Sequence, residues 1–278
     1  MWAARSLPRN LCAGLVRALA SLYWTAARHR RRIVVQNLLP PLQGDHRAAA
    51  KIGRRLLNQF ALKLVDLWQY ESGLPIDGLL GAATGWEHFE KARAQKRGIL
   101  LLTPHLGNWE FGAPLLTRKG VSLQVITLAE PGTDFTKLRE QSRARWNIET
   151  VVIGNDPFAF VEVIRRLEEG ATVALLVDRP PKYTAIEVEL FGQPFQASLA
   201  AAELARASGC VLLPVCLPRQ NGSYAPKMLP EVPYDRVALR EREARQKLTQ
   251  RIMKIFEPFI REHLDQWYHF VPLWENRR

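Results

Sequence analysis

Cysteine is scarce in this sequence, which limits how the chain is held together. Only Cys12, Cys210 and Cys216 occur among 278 residues, too few and too scattered for a framework of disulfide bonds. There is no C-x-x-C pair, and the six histidines are dispersed along the chain, so the sequence indicates no metal site. We therefore expect a protein of a reducing compartment that needs neither a metal nor another cofactor.

A long apolar run is also missing. About 20 consecutive apolar residues are needed to cross a bilayer, and no segment of the sequence reaches that length. The nearest candidate, residues 11–27, is interrupted by Arg17, and no small-x-small cleavage site follows it, so a cleaved signal peptide is not expected. At about 100° per residue, leucines share one face of this segment and mostly basic side chains share the other. The leucines are Leu11, Leu15, Leu19 and Leu22, and the opposite face carries Arg9, Arg17, Ser21 and Arg28.

Acidic residues are nearly missing from the first 60 positions. This segment holds eleven Lys and Arg residues and one acidic residue, Asp45, so it carries ten of the twelve net positive charges. Such a region favours an anionic partner. We interpret residues 1–45 as an amphipathic helical arm that binds anionic lipids of a membrane surface, followed by a folded domain at 46–278. The alternative is a helix packed on its own domain with a solvated basic face. Nucleic acid is not expected as a partner, because the segment lacks interleaved aromatic residues.

Short apolar runs alternate with helical stretches along the rest of the chain. The predicted strands are Ile99–Thr103, Ser122–Leu128, Thr150–Ile153, Thr172–Val177, Ile186–Leu190 and Val211–Leu217. Helices are predicted at about 47–72, 86–97, 108–119, 134–146, 156–169, 197–208 and 236–263. The alternation predicts an α/β fold with a mixed or mostly parallel central sheet flanked by helices.

Several familiar catalytic motifs are missing: G-x-S-x-G, the P-loop, the Rossmann glycine fingerprint and H-E-x-x-H. What is present is LLTPHLGNWEFG at 101–112, in which a predicted buried strand ends beside His105. Active-site groups collect at the carboxyl ends of such strands. We expect Gly107 and Asn108 to form a turn and helix cap, bringing Glu110 back to hold one ring nitrogen of His105. The other ring nitrogen would then take a proton. The alternative is a structural histidine that closes a strand end.

These residues closely resemble a known family. TPHLGNWE, preceded by RGIL and by Gly85-x-Glu87-x-Phe89, is similar to the late acyltransferases of lipid A biosynthesis, the lauroyl and myristoyl transferases of lipopolysaccharide synthesis. These belong to the lysophospholipid-acyltransferase-like superfamily, with its H-x4-[D/E] motif. Further segments that match the family occur in order along most of the chain. They are the basic Arg31 to Leu38, Leu167 to Gly170 leading to Val177-Asp178-Arg179, Phe191-Gly192-x-Pro194, Ala205 to Val215, and Gln266-Trp267-Tyr268-His269-Phe270.

The resemblance implies transfer of a fatty acyl chain from acyl carrier protein to a hydroxyl group of a lipid A precursor, on the cytoplasmic face of the cell inner membrane. It makes 46–278 the acyltransferase domain, His105 the general base and Glu110 its acidic partner. The partners would be acidic acyl carrier protein, a glycolipid acceptor and anionic inner-membrane lipids. A different glycolipid or phospholipid acceptor, such as a mannosylated phosphoinositide, is one alternative. A non-catalytic basic protein that binds lipid or nucleic acid is another.

Three further interpretations concern substrate binding. The backbone amides around Gly107 and Asn108 are candidate donors to an oxyanion. The family carries an active-site arginine near Arg139, Arg143 and Arg145, and we favour Arg143 as the residue that holds acceptor phosphate; the alternative is a solvated helix face. Asp178 and Arg179 follow a predicted strand, so they are assigned to the same cleft, with a structural ion pair as the alternative.

Overall fold

The computed structural model describes residues 9–128, 141, 143–144, 148–153 and 158–274. Its α-helices are α1 (Arg9–Ala26), α2 (Arg28–Leu38), α3 (His46–Glu71), α4 (Trp86–Ala94), α5 (Gly112–Arg118), α6 (Phe158–Glu168), α7 (Ala200–Ser208) and α8 (Arg242–Glu262). Its strands are β1 (Ile99–Thr103), β2 (Leu123–Leu128), β3 (Ile148–Ile153), β4 (Thr172–Leu176), β5 (Ala185–Leu190), β6 (Gln193–Ser198), β7 (Val211–Cys216), β8 (Arg219–Gln220), β9 (Ser223–Tyr224) and β10 (Lys227–Met228).

Within the described residues, six strands form the central sheet in the order β10-β7-β1-β4-β2-β3. All neighbours are parallel except β10, which pairs antiparallel with β7. The predicted α/β fold with a mostly parallel sheet is therefore confirmed. The order also puts β1 between β4 and β7, so groups that follow these three strands meet at one edge of the sheet.

Strand β1 lies at the centre because its sequence, ILLLT, is apolar on both faces. All five residues are buried, with Ile99 opposite both Thr172 and Val211. Strands covered by helices on both faces have this continuous apolar composition. The burial fixes the register of β1, and so fixes where Pro104 and His105 emerge.

The main error in the predicted elements concerns the segment after β5. The helix expected from about residue 197 begins at Ala200, because Gln193–Ser198 forms β6 and pairs antiparallel with β5. Phe191 and Gly192 make the two-residue connection, with φ of 52° and 74°. Two successive positive φ values are typical of the tight hairpin turn that suits twisted strands. The helix predicted at 134–146 falls largely outside the described residues.

The N-terminal helix α1 packs on α3, and its orientation is unusual. Trp24 is buried against α3, and Arg9 reaches the buried Asp66 at 2.9 Å. The leucine face points away from the protein: Leu11, Leu15, Leu19 and Leu22 are between 55% and 65% exposed. The helix is therefore packed on its own domain and keeps Arg17 and Arg28 exposed, as the alternative expected, but its leucine face is exposed as well. Across the described part of the chain, no helix combines the length and apolarity that crossing a membrane requires, and the membrane role of the arm stays a prediction.

Candidate active site

His105 stands where β1 leaves the sheet, and its imidazole is fixed by a carboxylate. Its Nδ1 lies 2.7 Å from Oδ1 of Asp178. Its backbone N–H also donates to Asp178, at 3.1 Å to Oδ1 and 2.9 Å to Oδ2. Asp178 thus holds both the ring and the main chain of His105, whose side chain keeps 14% of its surface exposed.

Asp178 is fully buried behind His105 and accepts hydrogen bonds from three residues. Besides the two donors of His105, Trp267 Nε1 donates at 2.8 Å and His269 Nε2 lies 2.9 Å away, both at Oδ2. Burial alone would raise the pKa of Asp178, yet its electrostatic interactions and hydrogen bonds with the imidazoles of His105 and His269 hold that pKa well below its usual value. Asp178 is therefore an ionised carboxylate inside the protein.

This geometry corrects two sequence-based expectations. The partner at Nδ1 of His105 is Asp178, whereas the sequence assigned Glu110 to hold the ring. Asp178 was assigned to the substrate cleft, but a side chain with no exposed surface cannot touch a substrate. The physical reason is the sheet: β1 and β4 are parallel neighbours, so residues that follow them converge across 73 positions of sequence.

The pair also fixes which ring nitrogen is basic. An ionised carboxylate only accepts hydrogen bonds, so Nδ1 of His105 must carry a proton and donate it toward Asp178. Nε2 is then the nitrogen with a lone pair available to accept a proton. His105 itself lines a large cavity, so the arrangement suits a general base.

Glu110 and Arg143 form a second pair in the same cavity. Arg143 Nη2 lies 3.0 Å from Oε1 of Glu110, and Arg143 Nε lies 3.3 Å from Oε2. Both side chains are about nine-tenths buried, so the forked contact is well shielded from solvent. The structure thus brings both predicted residues to the site, with Glu110 positioning the guanidinium. Arg139 and Arg145, the other candidates for that arginine, lie outside the described residues.

Gly107 and Asn108 shape the turn, and their backbone amides are already occupied. Gly107 has φ of 65°, and an added Cβ would lie 2.0 Å from the carbonyl oxygen of Leu217, so glycine is required there. Its N–H donates to the carbonyl of Gln266 and that of Asn108 donates to Leu217, both at 3.0 Å. The expectation that these two amides stabilise an oxyanion is therefore wrong. Asn108 occupies the N-cap position without a side-chain cap bond, and its side chain is fully buried.

The cavity beside His105 has a volume of about 540 Å³ and two chemically different parts. One part of its lining is polar and includes Lys63, Glu71, His105, Glu110, Arg143, Arg179 and Lys227. The rest runs along one face of the sheet and is lined by apolar side chains such as Leu101, Leu116, Val125, Ala174, Val215 and Met228. A lining that joins basic side chains to a large apolar surface fits a ligand with a reactive head and a hydrocarbon tail.

Lys63, on α3, is a site residue that the sequence did not reveal. It is buried, and its Nζ lies 2.8 Å from the centroid of the Trp109 ring. That ring in turn meets the ring of His105 edge-on, with centroids 5.1 Å apart. A lysine on an amphipathic helix resembles an ordinary solvated residue, so its position in the sequence carried no usable signal.

His269 and Trp267 were also missed as site residues, although both lie in the C-terminal aromatic segment. His269 is buried, and burial lowers the pKa of its imidazole despite the nearby Asp178. It is therefore neutral at pH 7 and donates from Nε2 to Asp178. Its buried Nδ1 has no hydrogen-bond partner among the described residues.

His105, Asp178 and His269 also form a cluster whose ligand-type atoms lie within 4.8 Å of one another. The two nitrogen-to-oxygen distances in it, 2.7 Å and 2.9 Å, are ordinary hydrogen-bond lengths. Each ring directs an N–H at the carboxylate, which leaves a cation no open lone pair between the three residues. The cluster thus fits a hydrogen-bonded network better than a metal site.

The chain is similar to proteins of known activity. It is 24% identical over 209 residues to the phosphatidylinositol mannoside acyltransferase of Mycobacterium tuberculosis (strain CDC 1551 / Oshkosh), covering 73% of this chain and 63% of that protein. It is 22% identical over 189 residues to the protein of the same name in Mycolicibacterium smegmatis, covering 68% and 60%. The matches thus span less than two thirds of the relatives' length.

A family model gives broader coverage than these pairwise matches. The model described as bacterial lipid A biosynthesis acyltransferase matches residues 1–276, nearly the whole sequence. The match includes the strand end at His105, the buried Asp178 and the C-terminal aromatic segment. The chain therefore belongs to the bacterial lipid A biosynthesis acyltransferase family, a family of acyltransferase enzymes.

Proposed function

We propose that this protein transfers a fatty acyl chain from a thioester to a hydroxyl group of a membrane glycolipid. The observation that carries the proposal is the His105–Asp178 pair at the polar part of a largely apolar cavity. The pair supplies a base, and the cavity supplies space for a hydrocarbon chain. Membership of an acyltransferase family agrees with both features.

In the proposed reaction, Nε2 of His105 takes the proton of the acceptor hydroxyl as its oxygen attacks the thioester carbonyl. The carbon–sulfur bond then breaks, an ester forms, and the departing thiolate takes the proton back from His105. Asp178 stabilises the imidazolium that exists between these steps. General base catalysis of this kind contributes roughly 10²–10⁴-fold.

The polar part of the cavity favours an anionic acceptor. Its lining carries four basic side chains, Lys63, Arg143, Arg179 and Lys227, against two carboxylates, Glu71 and Glu110, of which Glu110 pairs with Arg143. Phosphate groups suit a forked guanidinium held in place. We propose a phosphorylated lipid A precursor as the acceptor, as the family description suggests. A mannosylated phosphoinositide is the second candidate, because the mycobacterial relatives carry that name.

The proposed donor is acyl carrier protein, whose acidic surface complements the net charge of +12 of this chain. The proposed location is the cytoplasmic face of the cell inner membrane. The exposed leucines of α1 support it, because a row of half-exposed apolar side chains beside basic residues suits the interface of an anionic membrane.

The test is acyl transfer by membranes that contain the wild-type protein or the His105→Ala variant. Labelled acyl carrier protein thioesters are offered with a tetra-acylated lipid A precursor in one assay and a phosphatidylinositol mannoside in another. We expect labelled product with the lipid A precursor, and none from a folded His105→Ala variant. Product only with the mannoside would retain the reaction and replace the acceptor.

The proposal would be contradicted if the wild-type protein labelled neither acceptor and showed no thioester hydrolysis that depends on His105. Circular dichroism of the purified variant is the control for folding. An inactive wild-type protein would favour the non-catalytic lipid-binding alternative.

A further inference from the structure

A second cavity lies on the other side of α3 from the active-site cavity. Its volume is about 340 Å³, and α3 contributes Leu62, Val65 and Asp66 to its wall. At about 100° per residue, Leu62 and Val65 point at least 100° away from Lys63 and Leu67 of the active-site cavity, and no residue lines both cavities. The two cavities are therefore separate, and a ligand in one does not occupy the other.

The second cavity is basic. Arg9 and Arg17 reach it from α1, Arg219 reaches it from β8, and Asp66 is its single carboxylate in the described part of the chain. Asp66 is buried, and it already accepts from Arg9 Nη2 at 2.9 Å and from the Tyr224 hydroxyl at 2.8 Å. The charge of Asp66 is therefore offset by Arg9, and two guanidinium groups remain.

Arg17 and Arg219 have no carboxylate partner among the described residues. The buried Nε of Arg219 also lacks any hydrogen-bond partner there. The backbone of Arg219 is fixed, because its N–H donates to Gln266 Oε1 at 2.7 Å and its carbonyl accepts from Gln266 Nε2 at 2.8 Å. A buried guanidinium donor on a fixed backbone is costly unless something accepts its hydrogen bond.

We propose that this cavity binds the phosphate group of an anionic lipid headgroup. Planar guanidinium groups recognise phosphate oxygens through paired hydrogen bonds, and two uncompensated arginines match the charge of a phosphate ester. The location agrees: Arg9 and Arg17 belong to the helix whose opposite face exposes Leu11, Leu15 and Leu19. Leucines in the acyl boundary and a phosphate under the same helix would hold α1 at a bilayer surface.

The proposal goes beyond acyl transfer and is tested by binding, so its failure and that of the catalytic proposal are distinguishable. The test variant is Arg17→Gln, because Arg17 is exposed and its replacement leaves the core intact. Arg17→Lys keeps the charge, and Arg219→Gln is a second test of the same cavity. The matched control is Arg242→Gln, which removes one charge from an exposed position at the start of α8.

Two binding measurements separate the sources of phosphate. The first is calorimetric titration of the full chain with inorganic phosphate. The second is co-sedimentation with vesicles of phosphatidylcholine alone, or of phosphatidylcholine with roughly one third phosphatidylglycerol. At an anionic surface, loss of one basic residue weakens binding about fivefold through charge alone. We expect Arg17→Gln and Arg219→Gln to weaken binding to the anionic vesicles at least tenfold more than Arg242→Gln does. Arg17→Lys should recover part of that loss, and binding to neutral vesicles should not change.

Saturable binding of inorganic phosphate that is lost with Arg17→Gln would show that the cavity takes the phosphate group even without lipid. Loss confined to the anionic vesicles would show that the group is taken only as part of a headgroup. Equal effects of Arg17→Gln, Arg219→Gln and Arg242→Gln in both measurements would overturn the proposal, since diffuse surface charge would then explain the binding.

Discussion

Oδ1 of Asp178 lies 2.7 Å from Nδ1 of His105, although 73 residues separate them in sequence. The contact exists because β1 and β4 are parallel neighbours and both residues follow the carboxyl ends of these strands. Asp178 has no exposed surface, whereas His105 lines the cavity. The carboxylate therefore acts on a substrate only through the imidazole, which makes Asp178 a positioning residue.

Replacement of Asp178 by asparagine should lower the rate of acyl transfer by roughly 10²–10⁴-fold. Asparagine keeps the shape of the side chain but loses the negative charge that fixes the proton on Nδ1 and stabilises the imidazolium. The measurement is kcat with a labelled thioester and saturating acceptor. Glu168→Gln is the control, because Glu168 is an exposed carboxylate on α6. Equal rates for Asp178→Asn and Glu168→Gln would contradict the assignment.

The buried His269 should make the protein less stable as the pH falls below about 6.5, the usual pKa of histidine. Its folded-state pKa is lowered, so its contribution is present above the unfolded pKa and is lost as the pH falls through the folded value. Asp178, His105 and Arg179 are the charged or titratable groups that act on it. His263 shifts in the same direction, so wild type is compared with His269→Gln. The melting temperature of the variant should fall less between pH 8 and about pH 5, and parallel curves would show that His269 contributes nothing.

Gly107→Ala should destabilise the fold by roughly 2 kcal/mol or more. Alanine is strained at φ of 65°, and its Cβ would lie 2.0 Å from the Leu217 carbonyl oxygen. Gly112→Ala is the matched control, because no atom lies within 4 Å of its added Cβ and its φ is −60°. Urea unfolding measures both. A Gly107→Ala protein as stable as Gly112→Ala would mean that the turn is built differently.

Arg143→Lys should raise the KM for the acceptor about tenfold or more and change kcat less. Lysine keeps the charge but cannot make the forked contact with Glu110, so the cation that meets the acceptor would be misplaced. Steady-state kinetics at varied acceptor concentration measure KM and kcat separately. Glu110→Gln should also raise the KM for the acceptor, because Glu110 holds Arg143. If Glu110→Gln changed the pH dependence of kcat instead, Glu110 would act on His105.

Paired replacement of Leu15 and Leu19 by glutamine should weaken membrane binding and leave the melting temperature nearly unchanged. Both side chains are more than half exposed, so they contribute little to the core. Vesicle co-sedimentation measures the binding. Val237→Gln is the control, since Val237 is 67% exposed and does not belong to α1. A loss of stability without a loss of binding would contradict the proposed role of the leucine face.

The sequence allowed the fold class and the central position of His105 to be predicted, because both depend on local apolar patterns. The run at Ile99–Thr103 is apolar on both faces, so it indicated a buried strand whose end carries the histidine. Strand β6 (Gln193–Ser198) was missed because its polar residues and Pro194 hide the strand pattern. What makes this segment a strand is its pairing with β5, a contact that its own composition does not reveal.

The partner of His105 was assigned to the wrong carboxylate for a similar reason. Glu110 lies five residues from His105, whereas Asp178 reaches it through the order of strands in the sheet. Strand order cannot be read from the spacing of residues. Lys63 and His269 were missed because a buried lysine and a buried histidine become visible only when distant elements pack together.

The role of the His105–Asp178 pair is tested most directly by the rate of acyl transfer by His105→Ala, by Asp178→Asn and by the protein that carries both changes. Residues that act as one unit give losses that do not multiply. We expect the double variant to be no slower than His105→Ala alone, because Asp178 has no route to the substrate without the imidazole. Losses that multiply, or an active His105→Ala protein, would contradict this role of the pair.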